Sequence, residues 1–408
     1  MEQVVTVKNK KLMTWFDQKC RKMVLSVFDK IDYGQIEVIE SGQHSFFPQI
    51  HESTGPKAKM YVHDISVFRD FIKGGSIGAA EAFIEGKWST PDLTNLIRIF
   101  AKAQEQTDEI ESKKSWLSKF KNSIIHKLNR NNQSGSKKNI LAHYDLGNEL
   151  YTRFLDPEMM YSSAIYPDQG ASLSDAQIHK LHTICQRLEL NESDTLLEIG
   201  SGWGGLAIFA AQNYGCHVTT TTISEEQHKY AKARIESLGL TDQITLLKKD
   251  YRELEGEYDK VVSVEMIEAV GYEYLPSFFQ ICNDRLKKGG KLLIQSITIS
   301  DQRFDYYKNN VDFIQRYIFP GGFLPSINTL SEHMTKHSNM VIESIDDIGL
   351  DYAKTLAHWR DSFLSSWNEL QTLGYDEKFK RLWLYYLGYC EGAFLERSTS
   401  AVHLVARK

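Results

Sequence analysis

Ten residues constrain this chain more than any others: Leu196 to Gly205, LLEIGSGWGG. Leu196, Leu197 and Ile199 flank Glu198 and run directly into Gly200, Gly202, Gly204 and Gly205. A parallel strand buried on both faces is a short apolar run, and a backbone that passes close beneath a ligand needs residues without Cβ. Leu206 to Asn213 reads as a helix opening on the glycines, and His217 to Thr221 as a second strand. This pattern predicts a doubly wound α/β sheet with its ligand at the carboxyl end of the first strand. Further strands follow at Ile244 to Leu247, at Lys260 to Val264, and at Lys291 to Ser296 after the KKGG turn of Lys287 to Gly290. Upstream, Leu173, Ala176, Leu181, Ile184 and Leu188 form a helical stripe with Ser172 or Ser174 as its cap, delivering the chain to the first strand.

The residues before the sheet divide in two. Residues 1–105 read as a small mixed α/β domain: an amphipathic helix within Lys10 to Lys30, strands at Gln35 to Ile39, Phe46 to Ile50 and Met60 to His63, a helix from Val67 to Lys73, the small-residue stretch GSIGAAEAFIEGKW (Gly75 to Trp88), and a helix start at Thr90-Pro91-Asp92. Nothing there has the look of catalysis. Residues 106–139 read as a charged linker; Lys113 to Lys138 carries eight Lys and Arg residues and no acid, and Trp116, Leu117, Phe120, Ile124 and Leu128 recur at helical spacing. Such a helix suits an anionic bilayer surface or a solvated connection. Residues 140–408 form the sheet domain.

Composition narrows the classes. A formal net charge of −5 excludes a generally basic nucleic-acid binder. Five scattered cysteines with no CxxC pair suggest neither a metal site nor a disulfide framework, and fit a reducing cytoplasm. No apolar stretch approaches the roughly 20 residues of a spanning helix, so any membrane association is expected to be peripheral, on the cytoplasmic face.

The runs HYDLGNEL (from His143), LDPEMMYSSA (from Leu155), LLEIGSGWGG, TTISEEQ (from Thr221), KDYREL (from Lys249), VSVEMIEAVG (from Val262), RYIFPGGFLPS (from Arg316) and IGLDYAKTLAHW (from Ile348) stand in one order. Together they resemble the cyclopropane fatty acyl phospholipid synthase family of S-adenosylmethionine-dependent methyltransferases. The resemblance spans His143 to the end, and GSIGAAEAFIEGKW resembles the N-terminal domain of the full-length bacterial enzymes. It implies a class-I methyltransferase (Rossmann-like) sheet. It also implies S-adenosylmethionine as cofactor: Tyr161 and Ser162 contacting it, Gly200 and Gly202 passing beneath it, Thr222 and Gln227 on the ribose hydroxyls, Asp250 at the adenine amine and Tyr251 over the ring.

The implied reaction adds a methyl group to the cis double bond of an unsaturated acyl chain in a bilayer phospholipid and closes a cyclopropane. An alkene is a weak nucleophile, so positive charge builds on carbon, which aromatic faces stabilise without trapping. Phe304, Tyr306, Tyr307, Phe313, Tyr317, Phe319 and Phe323 are candidates, of which a minority are expected to serve. The resemblance further implies a bicarbonate base held by Ser163, Glu268, Gln295, Ile297 and Tyr352, with Ser163 where many members have Cys and Gln295 where many have His. An amide can donate to an oxyanion but cannot titrate near neutrality. Glu268 is expected to orient the bicarbonate, whereas Glu265 is expected to point elsewhere if a helix begins there. The Phe319-Pro320-Gly321-Gly322 turn is expected to shape the substrate's way in, and a homodimer is among the expected assemblies. A methyl-branched or exomethylene product, a lipid-binding homologue without catalysis, and a soluble small-molecule methyltransferase stay open as alternatives.

Overall fold

The computed structural model describes residues 14–49, 54–103 and 147–408. Its contacts divide the chain into two compact units, Met1–Lys114 and Ser115–Lys408. The basic segment between Lys113 and Lys138 lies outside the described residues, as do His143 to Leu146 of the first family motif.

In the first unit, helix α1 (Trp15–Phe28) is closed at its start by a capping box between Thr14 and Asp17. Strands β1 (Gln35–Glu40), β2 (Gln43–Phe47), β3 (Lys57–Val62) and β4 (Trp88–Ser89) form one sheet in the order β2-β1-β3-β4. The second strand starts three residues earlier than the sequence predicts. Ser41 and Gly42 both take positive φ, 50° and 82°, the conformation of a tight hairpin turn, so pairing resumes at Gln43 and stops before Pro48, which has no N–H to offer. The helix expected from Val67 to Lys73 continues into the small-residue stretch as one element, α2 (Val67–Ile84), kinked at Gly75. Helix α3 (Leu93–Lys102) starts at the expected place, with Asp92 as its cap.

The second unit holds β5 (Thr195–Ile199), β6 (His217–Thr221), β7 (Ile244–Leu247), β8 (Tyr258–Val264), β9 (Leu286–Ile299), β10 (Val341–Asp347) and β11 (Thr399–Arg407) in one seven-stranded sheet. Its order is β10-β11-β9-β8-β5-β6-β7. The strands from β5 to β9 run parallel, and β11 returns antiparallel beside β9. This is the doubly wound sheet that the strand pattern predicts and the class-I methyltransferase sheet that the resemblance implies. The KKGG turn is present as a bulge in β9, since Tyr258 pairs with Leu286 but Lys260 pairs with Lys291.

Successive residues in the central strands face opposite sides, and both sides are apolar. Leu196, Val262 and Leu293 join one core with Leu181 and Ile184 of α4 (Leu173–Arg187) and Leu206 and Ile208 of α5 (Gly205–Tyr214). Leu197, Val261, Leu292 and Ile294 join the other with Phe278 and Phe279 of α7 (Leu275–Arg285) and Leu330 and Met334 of α8 (Ile327–His337). The helix between these two sets, α6 (Glu225–Ser237), is capped by Ser224. Two long C-terminal helices, α9 (Gly349–Ser365) and α10 (Glu377–Leu395), pack on each other beside the carboxyl ends of the strands.

Gly205 opens α5 where a Cβ would lie 2.7 Å from the Glu158 carbonyl oxygen and 2.6 Å from Met160 Sδ. Gly205→Ala is expected to cost about 1–3 kcal/mol as an overpacked core position does, read as a lowered urea midpoint with an unchanged slope.

Candidate active site

The site lies at the carboxyl ends of β5, β6, β8 and β9, where the parallel strands release their loops. After β5, Gly200, Gly202 and Gly204 all take positive φ, at 102°, 49° and 90°. Ser201 N–H donates to the Thr221 carbonyl at 2.8 Å, tying the loop to the tip of β6. Trp203, inside the loop, donates its indole N–H to Asn148 Oδ1 at 2.8 Å. Among the described residues nothing beyond its chain neighbours lies within 4 Å of where a Cβ on Gly202 would stand, which leaves room there for a ligand.

The expected ribose contacts meet each other. Thr222 Oγ1 donates to Gln227 Oε1 at 3.0 Å, and the Ser224 hydroxyl fixes the Gln227 backbone N–H. Tyr251 is half-buried against Phe278, with ring centroids 5.7 Å apart. Asp250 is locked by Arg252, whose backbone N–H and guanidinium both donate to its carboxylate. Ser162 is also committed: its hydroxyl accepts from Lys180 Nζ at 2.7 Å. Lys180 is fully buried in α4, and burial lowers its pKa to about 8 against the opposing pull of Glu265 and Asp156. These surroundings fit S-adenosylmethionine: an open glycine cradle, a hydroxyl–amide pair at the tip of β6, and an aromatic face beyond.

Glu265 stands at the centre of the other half. It is not the start of a helix. Its φ is 47°, and only a single 3-10 turn, Ile267–Ala269, follows. Its N–H still pairs with the Gln295 carbonyl at 2.8 Å, while its side chain turns inward. Oε1 accepts from Ser163 N–H and from Gln295 Nε2, both at 2.8 Å, and Oε2 accepts from the Tyr352 hydroxyl at 2.7 Å. Burial raises the Glu265 pKa, and these three donors and Lys180 oppose that rise.

Glu268 is held separately. Its Oε1 accepts from Ile297 N–H at 2.6 Å and from Ser296 Oγ at 3.1 Å, while Oε2 has no hydrogen-bond partner among the described residues. Burial, reinforced by the neighbouring Glu265, pushes its pKa up to about 8. Two carboxyls that share a site cannot both ionise cheaply. The three donors favour the charge on Glu265, and burial beside it leaves the proton on Glu268 near neutrality.

The five residues expected to hold bicarbonate are therefore brought together, but their donors are spent on the chain's own carboxylates. Gln295 is fully used: Nε2 donates to Glu265 and, at 3.2 Å, to the Ser163 carbonyl, while Oε1 accepts from His403 Nε2 at 2.8 Å. That last contact fixes both the amide orientation and the His403 tautomer. Burial and the cations Arg187 and Lys180 push the His403 pKa well below its ordinary value, so it is neutral. The donor set does not fit an additional anion.

Aromatic rings cluster around Tyr161. Tyr161 lies 5.2 Å from Trp359 and from Tyr151, 6.1 Å from Phe154 and 6.3 Å from Phe319. Its hydroxyl meets that of Tyr386 at 2.9 Å. Of the aromatic run from Phe304 to Phe323, Phe319 joins this group. Phe313 packs on Tyr317, Tyr385 and Tyr389, and Phe304, Tyr307 and Phe323 pack around Tyr272 or one another. Sequence reasoning misses Trp359 and Tyr386 as ring neighbours and Lys180 and His403 as supports. It raises Glu265 as a second acid of the site, turned away only if a helix begins there, and no helix does.

The profile of the family described as mycolic acid cyclopropane synthetase matches residues 131–404. The chain belongs to that family. This synthetase-family chain is 36% identical to the Escherichia coli cyclopropane-fatty-acyl-phospholipid synthase, over 83% of its own length and 85% of the relative's. It is 35% identical to the tuberculostearic acid methyltransferase of Mycobacterium tuberculosis, over 83% and 81%. A mycolic acid cyclopropane synthase solved in complex with SAH and CTAB superposes with a TM-score of 0.62 at 26% identity, covering 67% of this chain and 98% of that one. The synthetase-family chain is thus an S-adenosylmethionine-dependent methyltransferase. Among its described residues no cluster could hold a metal, and no helix is long and apolar enough to cross a membrane.

Two measurements check this geometry. Gly202→Ala keeps the fold, because no protein atom opposes the new Cβ and the φ of 49° costs only about 1–2 kcal/mol; calorimetry should show S-adenosylhomocysteine binding weakened tenfold or more, about 1.4 kcal/mol. For Glu268, the folded pKa of about 8 lies above the ordinary 4.5. The folded chain thus keeps a proton that the unfolded chain loses, and stability declines as pH rises from 4.5 through 8. Infrared spectra should show a protonated-carboxyl band that bleaches over the upper part of that window. Glu268→Gln should remove the band and flatten the decline.

Proposed function

We propose that this enzyme adds a methyl group to the cis double bond of an unsaturated acyl chain in a membrane phospholipid and closes a cyclopropane ring. The observation that carries the reading is the pairing of an aromatic enclosure around Tyr161 with a hydrogen-bonded buried carboxylate at Glu265. A weak alkene nucleophile needs π faces to tolerate the developing cation and a base to remove one proton. The enclosure offers no anion of its own: Tyr151, Phe154, Tyr161, Phe319, Trp359 and Tyr386 are neutral rings.

The cofactor supplies an electrophilic methyl group at the glycine loop. Gly200 touches the loop after β8, since a Cβ there would lie 3.1 Å from Met266 Cγ. The residue before Met266 is Glu265, so donor cradle and carboxylate are adjacent. Glu268, protonated near neutrality, keeps a second negative charge away from the cation. The similarity to the Escherichia coli cyclopropane-fatty-acyl-phospholipid synthase supports this substrate class and product.

A bilayer source for the acyl chain is supported by α1. Trp15 and Met23 are 74% and 49% exposed, and Lys19 lies over the Trp15 ring at 5.4 Å. Residues 15, 19 and 23 share one face at four-residue spacing. An apolar and cationic face of this kind suits the headgroup boundary of an anionic membrane, which supports a peripheral association on the cytoplasmic side.

Expression in a host without cyclopropane lipids tests the reaction. Proton NMR of the lipid extract is expected to show high-field ring methylene signals; vinylidene signals, or branched methyl signals alone, would sink the cyclopropane assignment.

A further inference from the structure

We infer that Glu265 is the general base of this enzyme, a carboxylate built into the chain that occupies the ring of donors where the sequence resemblance implied a dissolved bicarbonate. The inference rests on the alkene methylation proposed above and names the group that takes its proton.

The donor count is the first ground. Ser163 N–H, Gln295 Nε2 and Tyr352 Oη come from three separate segments and converge on one carboxylate. An ionised carboxylate offers about four lone-pair sites. Two donors occupy Oε1 and one occupies Oε2, so a site on Oε2 is left to receive a proton. The remaining expected donor, Ile297 N–H, is held by Glu268. A bicarbonate would have to displace Glu265 or lie beside its charge, unmatched by any donor of these five residues.

The backbone is the second ground. A residue other than glycine at φ 47° is uncommon and costs of order 1–2 kcal/mol. Such strain persists where the surroundings over-determine it. Here the Glu265 N–H stays in the ladder with Gln295 while the side chain is turned onto the same residue's amide, so both ends of Glu265 are fixed by β9.

The third ground is the choice of partners. Gln295 is a neutral donor, itself oriented by neutral His403. A neutral amide stabilises a carboxylate less than a cation would, and so leaves it more basic. The one buried cation that acts on Glu265, Lys180, is bonded to Ser162 rather than to the carboxylate. Glu268 faces it as a protonated acid, and its unpartnered Oε2 adds no charge to the site.

In the step assigned to it, the alkene has accepted the methyl group and the neighbouring carbon lacks an electron pair. One C–H bond of that methyl breaks, its electron pair forms the third C–C bond of the ring, and the proton passes to Glu265 Oε2. No oxidant or reductant is consumed, and the proton afterwards leaves to water.

Bicarbonate titration and turnover together test this. Wild-type turnover should be the same in CO2-free buffer and with added bicarbonate, and calorimetry on the S-adenosylhomocysteine complex should show no bicarbonate binding. Glu265→Gln should lose about 100-fold or more in turnover, the usual worth of a positioned base, with S-adenosylhomocysteine affinity and circular dichroism retained. Glu265→Gly suits the positive φ and vacates the three donors; it should bind bicarbonate saturably and regain about tenfold in turnover from it. Bicarbonate binding or dependence in the wild type overturns the assignment, as does full turnover by Glu265→Gln. A wild type that makes no cyclopropane overturns the reaction proposed above, and the titrations of wild type and Glu265→Gly then decide Glu265 by themselves.

Discussion

A negative charge sunk among apolar residues must be matched by donors from somewhere, and in this protein that demand is met at Glu265. Moving a carboxylate out of water is expensive, and only well-placed hydrogen bonds return most of the cost. The donors come from the segment after Met160, from the middle of β9 and from the first turn of α9. Those three elements are far apart in sequence and have to be brought to one point. Ser163 sits above α4, where Gln177 holds the Ser162 carbonyl at 3.0 Å and Lys180 holds the Ser162 hydroxyl. Tyr352 is braced by stacking on Phe394 of α10, with centroids 4.5 Å apart. Gln295 is braced by His403 across the β9–β11 pair. The antiparallel return of β11 thus has a chemical role as well as a structural one.

The glycine loop answers a different constraint, close approach without side chains. Its three positive φ values aim backbone and open space at a ligand, and its Trp203 anchors the loop to Asn148 in the preceding segment. The two halves of the site meet where Gly200 packs on Met266. The glycine loop and the carboxylate after β8 are then neighbours because β5 and β8 are adjacent parallel strands ending at the same level. The sheet order does the positioning; the side chains supply the chemistry.

Electrostatics divide labour between two acids only three residues apart. Glu265 has three donors and carries the charge; Glu268 has two on one oxygen, none on the other, and keeps its proton. Divergent environments for paired carboxyls are how a site holds an acid and a base at one pH. Around them the rings of Tyr161, Trp359 and Phe319 provide a surface that is neutral yet polarisable.

The sheet strands, the glycine loop and a serine cap at Ser172 or Ser174 were legible from the sequence. Each depends on local pattern: apolar runs, glycine at positions without room for Cβ, a capping residue before a stripe. The spaced motifs further identified the family and gathered Ser163, Glu268, Gln295, Ile297 and Tyr352 into one site. Which partners those five residues hold within the chain is visible only in three dimensions. Whether Glu265 points inward depends on one backbone angle at the end of β8, which no propensity specifies. Whether Gln295 has a free donor depends on His403, more than a hundred residues away and adjacent only through β11. Local sequence determined the elements and the methyl donor's cradle. Long-range strand pairing decided where the charge resides, because the hydrogen bonds that hold a buried charge come from whichever segments the fold brings together.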